Sequence, residues 1–195
     1  MGLPSVHIMP RRGSMNGLTP SRPELKLVYG AEPEAPVEYV WFCGHCAAAA
    51  PGGEPPAPVA RVCHSCGLGL LLEARSEIVP DHRDAFLVVD SSLLVQGMSR
   101  RAEQLLALEE EAAINRPIGE LLVAPDAEAG GPGSFAGAIA EAVAGGEALV
   151  SKFVRPWNTF GVRMRVRIAA CGPPRAALIV LDASPARTLR AVEDR

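Results

Sequence analysis

No stretch of the 195-residue chain approaches the roughly 18 uninterrupted apolar residues that a membrane-spanning helix needs. No apolar segment follows Arg11 and Arg12 either, so no secretory signal is expected and a cytoplasmic, reducing location is the consequent reading. Cysteines in such a compartment stay reduced or hold metal. The chain also lacks any block of like charge. Residues 1 to 76 carry six acidic and six basic groups, and the remainder carries sixteen against thirteen. Affinity for nucleic acid rests first on neutralising phosphates, so this balance weighs against it, apart from a local patch. Lysine is nearly absent, with seventeen of nineteen basic residues being arginine. That is a coding bias and says nothing of function.

Chemical motifs of catalysis are missing as well. Gly130 to Ser134 is followed by Phe135 where a phosphate loop would need Lys and then Ser or Thr, although its amides could still face an anion at a helix start. No Gly-x-Ser-x-Gly elbow occurs, no histidine follows His82, and Glu109 to Glu111 read as a solvated helix end. The expectation is a chain that is not an enzyme.

What is present divides the chain into four parts. Residues 1–36 scatter Pro and Gly with no periodicity and read as a flexible arm. Residues 37–76 read as a compact module: the β-prone run Val37 to Phe42, a first cysteine pair, an exposed Ala, Gly and Pro loop, Val59 to Val62, a second pair, and a short strand over Leu68 to Leu72. Residues 78–184 read as one α+β domain. Residues 185–195 begin a C-terminal helix that Ser184 can cap with Pro185 at its first position.

The two cysteine pairs carry the strongest signal. Cys43-Gly44-His45-Cys46 and Cys63-His64-Ser65-Cys66 are CxxC turns separated by sixteen residues. Two thiolates three positions apart on a tight turn can face one ion, and two such turns complete a tetrahedron, the arrangement of a structural zinc ribbon. Gly44 and Gly67 would supply permissive backbone. The module has few large apolar side chains, so the ion would substitute for a core. With Cys43, Cys46, Cys63 and Cys66 as ligands no coordination position stays open, so the site would be structural, and His45 and His64 would be bystanders. Iron would use the same four ligands. Cys171 stands apart as a buried thiol.

In the larger part, Ala85 to Asp90 reads as a buried strand closed by a turn, with Leu93 to Gln96 its hairpin partner. Ser99 can cap a helix with Ala102, Leu105 and Leu106 on one face. Ser134 can cap another, where Phe135, Ile139 and Val143 recur every four residues. Leu149 to Val154, Val162 to Ala170 and Ala176 to Leu181 then form a three-strand meander. In its middle strand Val162, Met164, Val166 and Ile168 alternate with Arg163, Arg165 and Arg167, which predicts one buried and one solvated face.

This order of elements resembles a PAS sensor domain. Phe86-Leu87-Val88-Val89-Asp90 resembles the family's first strand and closing Asp. Ser99 to Leu106 resembles its Asn-x-Ala-Ala-Glu-x-Leu-Leu helix, Asn115-Arg116-Pro117-Ile118 its Gly-Arg-Pro-Leu turn, and Asp182-Ala183-Ser184 its Asp-Ile-Thr triad. Ser at 99 and Asn at 115 replace the usual Asn and Gly without disruption, since Ser also caps helices and Asn tolerates a left-handed backbone. The resemblance implies a PAS-like five-stranded antiparallel sheet with flanking helices. It also implies a small pocket, formed by Val88, Leu105, Ile139, Val143, Met164 and Val166, that could hold an apolar ligand or be packed shut. Haem and photoreactive flavin are disfavoured, because no histidine follows His82 and the flavin-binding Asn-Cys-Arg-Phe-Leu signature is absent.

The combined expectation is a non-enzymatic, cytoplasmic signalling protein. In it a zinc-stabilised PAS-like sensor or adaptor acts by protein–protein contact, as a homodimer or with a separate partner. Two alternatives are a transcriptional regulator whose ribbon meets DNA and an iron-binding electron carrier.

Overall fold

The computed structural model describes residues 36–51, 55–124, 133–159 and 162–182. The expected flexible arm, the Ala183 and Ser184 end of the signal triad, the C-terminal helix and most of the Gly130 to Gly133 loop lie outside these residues.

Among the described residues eight strands form one antiparallel sheet, where a five-stranded sheet preceded by a separate ribbon module was expected. They are β1 (Tyr39–Cys43), β2 (Leu71–Arg75), β3 (Ala85–Val89), β4 (Val95–Met98), β5 (Leu122–Val123), β6 (Val150–Pro156), β7 (Met164–Gly172) and β8 (Ala176–Asp182). The order β1-β2-β7-β8-β3-β4 runs across the main sheet, with β6 beside β7 and β5 beside β6. The five strands foreseen for the larger domain are β3, β4, β6, β7 and β8. The count rises because β5 adds a short pair and because the cysteine-bearing hairpin β1–β2 joins the same sheet. β6 pairs β7 only from Met164 to Ile168, and β2 takes the vacated edge farther along, with Ala74 opposite Cys171 and Glu73 opposite Gly172.

Among the described residues three α-helices accompany the sheet: α1 (Arg100–Leu106), α2 (Glu110–Ala113) and α3 (Phe135–Val143). Ser99 caps α1, its hydroxyl oxygen accepting the Ala102 amide at 3.2 Å, and Ser134 caps α3 in the same way from Gly137 at 3.0 Å. Asn115 adopts φ 63°, the left-handed backbone that glycine would otherwise supply. None of these helices is long and apolar enough to cross a membrane.

Strand alternation sends the two faces of the sheet into two different cores. Leu87, Val89, Val166, Ile168, Ile179 and Leu181 meet Ala102, Leu106, Ile139 and Val143 of the helices. On the opposite face Phe86, Val88, Ala169, Cys171, Leu178 and Val180 meet Phe42, Leu72, Ala74 and Ile78. The cysteine-bearing hairpin therefore covers the side of the sheet that the helices leave bare. Phe42 and Phe86 close this second core edge to face, with ring centroids 6.3 Å apart.

The solvated face expected for β7 exists over only half its length. Arg165 is exposed and Arg167 half-buried, whereas Ala169 and Cys171, on the same face, are covered by the hairpin. Arg165 and Arg167 both lie near Asp182, and Arg167 also donates to the Glu77 carbonyl at 2.9 Å. These two arginines are engaged within the fold, as the stems of a charged outer face would be.

Candidate metal centre

Cys43 ends β1, and the chain turns through Gly44 and His45 to Cys46. The second turn, Cys63 to Cys66, repeats the first in its hydrogen bonds. The Cys43 carbonyl accepts the Ala47 amide at 3.0 Å, and the Cys63 carbonyl accepts the Gly67 amide at 2.9 Å. The residue closing each turn is left-handed, Ala47 at φ 63° and Gly67 at φ 69°. Gly67 thus serves as expected, while the matching position in the first turn is Ala47 and not Gly44. Gly44 is small for another reason: a Cβ there would stand 3.1 Å from Leu72 Cδ1.

The two turns bring all four sulfurs within 4.8 Å of one another, the one such cluster of potential metal ligands among the described residues. Cys43 Sγ lies 3.7 Å from Cys66 Sγ, and Cys46 Sγ lies 3.8 Å from Cys63 Sγ. A tetrahedron with metal–sulfur bonds of about 2.3 Å has edges of about 3.8 Å, so the spacing fits a four-thiolate site and is far too long for a disulfide. Backbone amides point at the sulfurs: His45 and Cys46 donate to Cys43 Sγ at 3.4 Å, Ser65 to Cys63 Sγ at 3.4 Å, and Gly69 to Cys66 Sγ at 3.5 Å. These donors stabilise thiolate charge. Trp41 and Leu71 pack around the buried Cys43 and Cys63. Gly69 permits the second turn to close on the first, since a Cβ there would fall 2.4 Å from Cys43 Sγ.

Burial and hydrogen bonding act differently on Cys43, Cys46 and Cys66. Burial pushes Cys43 well up, against the pull of the Cys46 and His45 amides. Burial also raises Cys46. At Cys66 burial again works upward, but the amides of Gly69 and Leu68 and the thiols of Cys43 and Cys46 outweigh it and lower the group to about 6. One sulfur is therefore ready to meet a cation while others must first lose protons. Cys171, away from the cluster, is raised to about 12 by burial alone.

His45 stands outside the ligand cluster, as expected, but its side chain has a partner of its own. Its Nδ1 lies 2.8 Å from Oε2 of Glu110, on α2. Glu110 Oε1 accepts the Met98 amide of β4 at 2.8 Å, and the Glu110 amide donates to Glu103 Oε1 at 2.8 Å. The first cysteine turn is thus tied to the helical segment of the larger domain. His64 is exposed. The sequence hid the tie because Glu110 sits in an acidic run that reads as a solvated helix end, whereas the residue opens α2 and faces inward.

Of the six residues expected to form a pocket, Ile139, Val143, Met164 and Val166 are buried in the helix-side core and Leu105 packs against it. Val88 belongs to the other face of β3, in the hairpin-side core, and shares no pocket with them. A cleft of about 580 Å³ opens elsewhere, between the cysteine turns and the β3–β4 hairpin. Leu68, Leu70, Leu72 and Val88 are among its apolar lining, and Asp90, Gln96 and Glu110 supply polar groups.

No protein-family model matches the chain, and no curated protein matches it. Among solved structures, the chain is similar to the photoactive yellow protein domain of the sensor histidine kinase Ppr from Rhodospirillum centenum. That similarity is 19% identity over 51% of this chain and 84% of the other, with a TM-score of 0.36. It is also similar to the PAS domain of nitrogen regulation protein NR(II) from Vibrio parahaemolyticus, with 13% identity over 55% and 94% and a TM-score of 0.39.

Proposed function

We propose that this chain is a zinc-stabilised, PAS-like regulatory module that acts through protein–protein contact in the cytoplasm, either as a homodimer through the PAS-like part or with a separate partner. The observation that carries the reading is the four-sulfur cluster, with its 3.7 and 3.8 Å edges, at the tip of a hairpin that covers one face of the sheet. Cys43, Cys46, Cys63 and Cys66 would hold the ion. Zinc suits four thiolates in a closed site, where it supplies folding energy and no open position for chemistry.

The module reads as non-enzymatic, because two carboxylates lining the cleft beside the metal turns already have structural partners. Glu110 is engaged by His45 and the Met98 amide, and Asp90 accepts the amides of Ser92 and Leu94. The cleft beside Leu68 and Leu70 suits a small apolar ligand better than the filled interior around Ile139 does. The two basic residues of the ribbon do not favour DNA: Arg61 donates to the Pro173 carbonyl at 2.8 Å and Arg75 to the Glu147 carbonyl at 2.6 Å.

Size-exclusion chromatography with light scattering, paired with affinity capture from the native host, tests this reading. A dimer, or a stoichiometric partner held by the metal-loaded chain, supports it. A strict monomer that retains no partner removes its basis.

A further inference from the structure

We infer that Glu110, in the larger domain, is an outer positioning residue of the metal centre, so that metal occupancy and the placement of α2 are reciprocal. This rests on the metal-binding reading above. The chain of contacts is short. The His45 amide donates to Cys43 Sγ at 3.4 Å, and its ring meets Glu110 at 2.8 Å. The other oxygen of Glu110 accepts the Met98 amide, and its own amide is held by Glu103 of α1.

Two features make the tie specific. Glu110 is held by two hydrogen bonds besides the one to His45, from the Met98 amide and to Glu103, so it presents the ring with a preset geometry and little entropy left to lose. The first cysteine turn is also pressed against β4: a Cβ on Gly97 would lie 2.9 Å from the Gly44 carbonyl oxygen. A turn held by a sulfur cluster on one side and by β4 and α2 on the other has few arrangements available. Groups that orient metal-binding elements from outside the ligand shell commonly change affinity by 10 to 100-fold. Linkage then requires the metal to bias α2 by the same factor that α2 biases the metal.

The test uses the full chain and zinc itself, titrated against a chromophoric chelator at fixed pH and salt. Glu110→Gln is expected to weaken zinc binding about tenfold, and His45→Ala by the same factor. The double variant should lose no more than either single one, because both remove one contact. Glu111→Gln, on the exposed neighbour, should stay within about twofold of the wild type. As a second readout, amide exchange across Glu110 to Ala113 in the zinc-loaded protein should be faster in His45→Ala than in the wild type.

Should Glu110→Gln fail to fold, His45→Ala alone decides between the outcomes. Unchanged zinc affinity in either variant, losses that multiply in the double variant, or unchanged exchange in α2 would each overturn the inference while leaving the metal site standing. Failure of the wild type to bind zinc would overturn both.

Discussion

A Cβ placed on Gly97 would come within 2.9 Å of the Gly44 carbonyl oxygen, so β4 of the larger domain and the first cysteine turn meet backbone to backbone. Gly97→Ala must push the two apart. Overpacking of this kind costs about 1–3 kcal/mol, and the loss should be visible as a lower urea midpoint with little change in slope. A variant as stable as the wild type would mean the contact is loose.

Phe42 is fully buried and meets Phe86 edge to face. Phe42→Ala leaves a cavity under the hairpin and should cost about 3–5 kcal/mol by chemical denaturation. If the hairpin were an independent appendage, the larger domain would unfold with unchanged stability in this variant, and a single cooperative transition would give way to two.

Gly69→Ala attacks the cluster directly, because its Cβ would fall 2.4 Å from Cys43 Sγ and 2.7 Å from His45 Cβ. Zinc affinity should fall roughly 10 to 100-fold in a chelator competition, the range seen when contacts supporting metal ligands are broken. Gly67→Asn, at a left-handed position with open space around it, should bind zinc nearly as well as the wild type.

The thiols set the pH dependence of metal binding. Cys43 and Cys46 are raised by burial, so zinc must displace protons from them, and affinity falls as pH falls. Cys66 is lowered to about 6, where amide and thiol donors outweigh burial. Above that pH it is already a thiolate and releases nothing on binding. Below it, one more proton must leave. A plot of log affinity against pH should therefore steepen as pH falls through about 6, which calorimetry in buffers of different ionisation enthalpy can follow.

Much of this architecture was legible because its signals are local. The spacing of the cysteine pairs predicted the sulfur cluster, and the caps at Ser99 and Ser134 and the left-handed Asn115 were recognisable from residue type. The docking of the hairpin was only half visible. Ala85 to Val89 and Ala176 to Leu181 are apolar at every position, which signals strands covered on both faces. Such a run does not say what covers the second face, and the cysteine spacing carries no signal of where its module docks.

Val88 shows the cost of that gap. Alternation places it opposite Leu87 and Val89, on the hairpin side of β3 and not on the helix side where the pocket is expected. The tie between His45 and Glu110 joins residues distant in sequence through side chains alone, and no periodicity reports such a pair.

One ion is proposed to hold the two cysteine turns together, and native mass spectrometry of the freshly purified chain tests this directly. One zinc per chain, absent from Cys63→Ser and accompanied there by a marked loss of stability, is the predicted result. A wild-type chain without stoichiometric metal, or a Cys63→Ser variant as stable as its parent, would contradict it.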